Sequence, residues 1–288
     1  TVNTMSAAHA SAVSTTRAFD NDYRLTGITT TNSTQNLTLG YDAASNISTI
    51  TDILDNSRSQ SFTYDADDRL LTASGKYGSL SYTYDANGNR KTGVNNGVTS
   101  TFNISSLSNA IYPSVVTGST TRTFNYDANA NITKDTGDAT FTYNNRNRMS
   151  QAVSASGTTT ATFKYNALGQ RVLKTVGTVQ TVFIYDQDGK LLGEYNGATG
   201  AMIHEYVYLN DIPVVQVDPS DTFYYIHTDQ LNTPTRITDG SKAIVWDRVR
   251  KPFGEDFSLT GSLTHNLRFP GQYADVGFPV LVAPFNIY

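Results

Sequence analysis

The side chains spaced most like a reaction centre are His227 and Asp229, in the triplet His-Thr-Asp. Two positions apart on an extended chain, they share one face with Tyr225 and could act as general acid and base or as two metal ligands. His9, His204 and His265 are distant in sequence and supply no evident third ligand, so a hydrogen-bonded turn is the favoured reading. A second set of carboxylates, Asp42, Asp65, Asp85, Asp127 and Asp186, each follows a tyrosine. Calcium needs six to eight oxygens from closely spaced ligands. Only Asp65-Ala-Asp67-Asp68 is that dense, and capping of turns explains the others. Arg248, Arg250 and Lys251 read as a solvated strand or loop face rather than an anion site. No Gly-x-Ser-x-Gly elbow and no phosphate-binding glycine pattern occurs, and the absence of cysteine removes thiol chemistry and disulfides. No catalytic residue, metal or cofactor is expected.

What positions these residues is a repeat. Phe62-Thr-Tyr64-Asp65, Tyr82-Thr-Tyr84-Asp85, Phe124-Asn-Tyr126-Asp127, Phe141-Thr-Tyr143-Asn144, Phe163-Lys-Tyr165-Asn166 and Phe183-Ile-Tyr185-Asp186 share one pattern, with Tyr41-Asp42 a weaker copy. The spacing averages roughly 20 residues, which marks a repeat architecture. Rings at i and i+2 lie on one face of a strand, and the residue between them, often Thr, suits a more polar face. Polar turns follow, such as Asp85-Ala-Asn-Gly88-Asn89, in which Asp bonds its own backbone and glycines at 88, 169 and 189 accept positive φ. A short apolar run then completes one β-hairpin. A lone hairpin cannot bury its rings, but hairpins side by side can. The predicted fold is therefore all-β: an antiparallel sheet of consecutive hairpins curving into a spiral or partial shell. An ordinary sandwich is the alternative, though it has no need of the same turn in every hairpin. Eleven hairpins would make a strip about 105 Å long, enough for roughly one small turn, with two open edges.

Composition agrees. Thr, Ser and Asn number 41, 25 and 24 among 288 residues, a bias that disfavours helix. With 18 Tyr and 13 Phe there is ample ring area to bury, which argues against disorder. Charged residues are only 16% and the net charge is −4, so a nucleic-acid surface is not expected. No apolar run is long enough to span a membrane. Five Asn-x-Ser/Thr sequons begin at Asn32, Asn36, Asn46, Asn103 and Asn131, as expected by chance in so Asn- and Thr-rich a chain. Residues 1–18 lack the apolar core of a secretory signal, and Thr1 suggests a piece of a longer or processed chain.

The string Tyr84-Asp-Ala-Asn-Gly-Asn-Arg90 with its copies resembles the YD repeat of bacterial Rhs and insecticidal toxin-complex shells and of animal teneurins. The order Tyr225-Ile-His-Thr-Asp-Gln-Leu-Asn-Thr-Pro234, Ile244-Val-Trp-Asp247, Phe253-Gly-Glu255 and Asn266-Leu-Arg-Phe-Pro-Gly-Gln-Tyr-Ala-Asp275 looks like the core that follows those repeats. The division expected is a lead-in at 1–18, disordered or at an edge, hairpins over 19–217, a core-like segment over 218–275 and a divergent tail at 276–288. What the resemblance implies is a structural β-shell that encloses or presents a polypeptide cargo such as a toxin, in a bacterial protein that is secreted or at the cell surface. Its partners would be that cargo or neighbouring repeats of a longer shell. The family core is an aspartyl autoprotease, but the motif that precedes its cleavage point does not follow Tyr273 here, so no proteolytic activity carries over. Gln230 and Asn232 stand where related cores often have His and Gly, which weakens a polar site around His227. The alternative function is an extracellular adhesion module whose tyrosines meet glycans or a cell-surface protein.

Overall fold

The computed structural model describes residues 3–6, 14–137 and 139–275. Among them 25 strands run in order from Asn3–Ser6 to Asp256–Gly261, interrupted by two single 3-10 turns, Thr31–Ser33 and Asn56–Arg58. Each strand pairs antiparallel with the next, so order along the chain is order across the sheet. Among the described strands the first does not pair with the last, and the sheet is an open strip, not a barrel. The tail at 276–288 lies outside the described residues. Ser14–Phe19 is a strand, paired to Leu25–Thr30.

The hairpin Gln60–Tyr64 with Leu70–Gly75 shows why the strip curves. Thr63 stands opposite Thr72 and Tyr64 opposite Leu70, leaving Leu71 as an extra residue. The same slip occurs immediately before Tyr41, Tyr84, Tyr126, Tyr143, Tyr165 and Tyr185. A bulge bends its strand and increases the local twist, and repeated at one place in every hairpin it accumulates into a coil.

The two faces follow the period-two pattern. Phe102, Phe124, Phe141, Phe163 and Phe183 are buried on the inward face. The outward face of the earlier strands carries hydroxyl pairs, Thr63 to Thr72 and Thr83 to Thr92 at 2.6 Å and Ser61 to Ser74 at 2.8 Å. Such cross-strand pairs stabilise a sheet while wetting it without charge. The core is accordingly a string of small clusters along the strip, from Ala73, Tyr77, Leu80 and Tyr82 to Ile226, Ile237 and Trp246.

The strip overlaps itself. Arg17 donates to Thr228 Oγ1 at 3.1 Å, Arg236 donates to the carbonyl of Thr34 at 2.7 Å, and Arg58 pairs with Asp247 at 2.7 Å. Inward-facing Tyr82 packs edge-on to Phe253 at 5.0 Å. The last strands therefore roll inside the first, slightly more than one turn.

Candidate functional site: the inward face and its polar seam

Each repeat turn is built by one carboxylate. Oδ1 of Asp42, Asp65, Asp85, Asp127 and Asp186 accepts the N–H groups two and four residues on, at 2.8–3.0 Å. Asn144 does the same for Arg146 and Arg148. Oδ2 takes the side chain at the fourth position, Asn46, Arg69, Asn89 or Asn131. The amides of Asn89 and Asn131, ahead of the backbone bonds for each, hold the Asp85 and Asp127 carboxyls below their ordinary range. The third position after the Asp is left-handed: Gly88, Gly169 and Gly189 at φ 84°, 84° and 88°, but also Asp68 at 59° and Ala130 at 65°. The carboxylates are thus spent on backbone donors rather than gathered around a cation. Among the described residues no group of three His, Asp or Glu is placed to hold a metal ion.

The tyrosines tie neighbouring hairpins together. Tyr41, Tyr64, Tyr84, Tyr126, Tyr143, Tyr165 and Tyr185 donate to the carbonyls of Leu25, Ile47, Leu70, Ile111, Ile132, Met149 and Arg171, at 2.7–2.9 Å. Each acceptor opens the strand that follows the preceding turn. One ring per repeat therefore covers the seam between two hairpins, and burial pushes the Tyr143 phenol up to about 12.

Asp229 is a further copy of the turn carboxylate. Its Oδ1 accepts the N–H of Leu231 and Thr233, Asn232 is left-handed at φ 59°, and Oδ2 takes Arg250 at 2.6 Å. His227 lies on the strand before it and reaches Thr238 Oγ1 at 3.0 Å. Burial first, then the charge of Arg236, lowers the His227 imidazole to about 4, so it is neutral at neutral pH. The two side chains thus have separate partners, Thr238 for His227 and Arg250 for Asp229. Arg248 and Arg250 correct the expectation of a solvated basic face. Arg248 is 3% exposed and bonds Asp256 and the carbonyl of Gly254, because this strand is rolled into the interior.

The interior is a seam of charge unusual for so neutral a chain. Asp52 lies between Arg236 at 3.3 Å and Arg58 at 3.7 Å. Asp275 joins Arg171 at 2.7 Å and Lys174 at 3.2 Å. Glu194, 2% exposed, accepts from Tyr206 at 2.8 Å, Tyr273 at 2.6 Å and Asn266 at 3.1 Å. Tyr273 also stands edge-on to Phe183 at 5.3 Å. Between the strands and the returning segment are spaces of about 400 Å³, beside Phe62, Tyr64 and Arg236, and about 870 Å³, beside Tyr143, Phe163 and Tyr273.

Residues of this seam escape a search for motifs, yet a register signal exists. The residue opposite each repeat ring lies eleven places on: Ala73 faces Phe62, Gly93 faces Tyr82 and Ala152 faces Phe141. At the same place stand Asp135, Lys174 and Glu194, facing Phe124, Phe163 and Phe183. A charge there must be buried, and burial demands a partner. Arg122, Asp275 and the two phenols supply it.

Compared with known families, residues 1–267 match the family described as the teneurin YD-shell. The chain belongs to the teneurin YD-shell family. Among solved structures it is similar to the Tc holotoxin pore of Photorhabdus luminescens, with 15% identity, TM-score 0.70, 92% of this chain and 16% of that one. It is equally similar to the TcdB2-TccC3 complex, with 15% identity, TM-score 0.70, 91% of this chain and 16% of the other. A curated relative is the tRNA3(Ser)-specific nuclease WapA of Bacillus spizizenii, 28% identical over 170 residues, 56% of this chain and 7% of that protein. The chain thus spans about a sixth of the toxin chains and a smaller part of the nuclease. It is a β-shell structural module. No helix among the described residues is long and apolar enough to cross a membrane.

Proposed function

We propose that this module is a non-catalytic wall that encloses or presents a polypeptide cargo, in a bacterial protein that is secreted or at the cell surface. The observation that carries this reading is the direction of the aromatic face: it turns inward and is already covered in part by the chain's own segment 227–275, through the Tyr82–Phe253 and Phe183–Tyr273 ring contacts and the Glu194 cluster. A face that packs one extended polypeptide with rings and buried polar anchors suits another of the same chemistry. The spaces left, of several hundred Å³, are the size of small-ligand pockets, so a folded cargo would need walls beyond these 25 strands. Turn carboxylates bound to backbone and Asp229 bound to Arg250 support a structural rather than a catalytic role for these residues.

An adhesion module binding glycans would need tyrosine rings displayed outward with free hydroxyls, whereas seven repeat hydroxyls donate to backbone carbonyls. Co-expression with the polypeptide encoded next to this chain tests the wall reading by limited proteolysis. The expected result is a protected complex. Digestion of the partner at the rate of the free polypeptide would refute it.

A further inference from the structure

Residues 264–275 lie on the inward face without joining the sheet. Among the described residues their backbone bonds close on themselves: Arg268 donates to the carbonyl of Gln272, Gln272 to that of Phe269 and Ala274 to that of Asn266, with Leu267 bridged to Tyr273. The hold on the wall comes through side chains. Asn266 and Tyr273 bond Glu194, Thr264 and His265 bond Gln216, and Asp275 pairs with Arg171 and Lys174. A small hairpin held in this way can leave without unzipping a strand, and local openings of that kind need far less free energy than global unfolding.

At the centre of this hold is a histidine that has room for only one proton. The carbonyl of Thr264 at 3.0 Å and Asp218 at 2.8 Å both accept from the Gln216 amide, which fixes its orientation. Gln216 Oε1 therefore accepts from His265 Nδ1 at 2.7 Å, and His265 Nε2 is left as a buried lone pair with no partner. The ring is 2% exposed, edge-on to Trp246 at 5.2 Å and to Tyr206 at 5.9 Å. The charged and titratable groups facing it come from every neighbouring element: Arg268 of its own hairpin, His204 of Met202–Leu209 and Arg248 of Ile244–Arg250. His204 is bonded to Asp218 at 2.6 Å and Arg248 to Asp256, while Glu194 is taken up by Asn266 beside it. Burial first, then the charges of Arg268, His204 and Arg248, holds the His265 imidazole well below its ordinary value. Off the wall it would titrate near about 6.5.

We propose that His265 makes the hairpin 264–275 an acid-released cover, which leaves the wall as a unit when Nε2 takes a proton from solvent and bares the inward face beside Phe183, Tyr206 and Trp246. The bond from Nδ1 to Gln216 survives that proton. What is lost is the burial of an uncharged ring among guanidinium groups, since a buried cation without an acceptor is costly. The closed state holds the neutral imidazole, so its advantage is complete above about pH 6.5 and shrinks as pH falls. The proposal rests on the wall reading for its consequence, access to the cargo-facing side, and adds a control to it.

The chain has no cysteine, so a single thiol can report on opening. Leu191 is buried in the cluster against which Leu267 and Tyr273 pack, whereas buried Ala139 belongs to a different cluster. Leu191→Cys and Ala139→Cys would be made separately in the full chain and treated with a dipyridyl disulfide, each rate divided by that of a free thiol at the same pH. The opening constant at position 191 should rise about tenfold for each pH unit between about 6.5 and 5, one proton per opening, while that at position 139 stays level. Adding His265→Gln should flatten the rise at 191, whereas His227→Gln and His204→Gln should keep it. A level response at 191 with His265 intact would overturn the proposal, whatever the variants do. An equal rise at 139, which is global unfolding, would overturn it too, as would a slope that persists in His265→Gln or is lost only in His204→Gln. No cargo enters this readout, so its failure and the failure of the protease-protection experiment are separate results.

Discussion

The Glu194 cluster allows a quantitative test of how the rolled end is held. Tyr273→Phe removes one hydroxyl and leaves the ring beside Phe183. That hydroxyl donates at 2.6 Å to a carboxylate only 2% exposed. A hydrogen bond to a charged group contributes about 1.5–3 kcal/mol, against about 1 kcal/mol for a neutral pair. Tyr143→Phe is the matched control, since its hydroxyl donates to the carbonyl of Ile132 at 2.9 Å. We expect a loss of about 2 kcal/mol for Tyr273→Phe and about 1 kcal/mol for Tyr143→Phe. For a domain of this size that corresponds to roughly 4–8 °C and 2–4 °C in melting midpoint. Urea unfolding can be followed by Trp246, the single tryptophan, which is buried with the His265 ring at 5.2 Å and Arg268 above it. A double-mutant cycle with Glu194→Gln isolates the charge, and the two changes should couple by about 1 kcal/mol. Equal losses at Tyr273 and Tyr143, or additive behaviour in the cycle, would refute the claim that a buried carboxylate anchors the returning segment.

Three further outcomes follow from the geometry. Ala130→Gly should stabilise the chain by about 1 kcal/mol, because Ala130 is left-handed at φ 65°, whereas Gly88→Ala should destabilise it although a Cβ there meets no atom within 4 Å; paired denaturation curves separate this backbone strain from packing. Asp52→Ala leaves Arg236 and Arg58 to share Asp247 and should cost about 1–3 kcal/mol, opening the overlap to limited proteolysis around 52–58. Buried His227 titrates near 4 when folded and near 6.5 when unfolded, so the unfolded chain takes the proton first. Its contribution is complete above pH 6.5 and declines as pH falls toward 4, by up to about 3 kcal/mol, and urea midpoints at pH 7 and 4.5 should differ less in His227→Gln.

The fold also separates two tasks usually shared by one core. Registration along the strip is local: a turn carboxylate, a left-handed residue and a tyrosine hydroxyl act within one repeat and its neighbour. Closure is non-local and uses hydrogen bonds and ion pairs between residues 184 to 215 positions apart, with the Tyr82–Phe253 ring pair beside them. Local bonds can be lost one hairpin at a time, as expected of a quasi-one-dimensional array. Loss of a closing contact releases the rolled end as a unit. Stability of the wall and access to its inward face are therefore open to separate change.

By itself, the sequence determined everything that operates within some twenty residues. Alternating rings and Thr specify two faces of a strand, and Asp with Gly at a fixed offset specifies the reversal, since both depend only on side-chain direction and local backbone bonds. Even Asp229 reads as one more turn once Ile226 and Thr228 are allowed in place of the rings. The tertiary structure alone decided which face is inward and which end is enclosed. It also decided why Arg248 is buried while Leu209 is not. Those outcomes depend on twist summed over a bulge in each repeat, and a few degrees per hairpin decide whether Arg58 meets Asp247 or water.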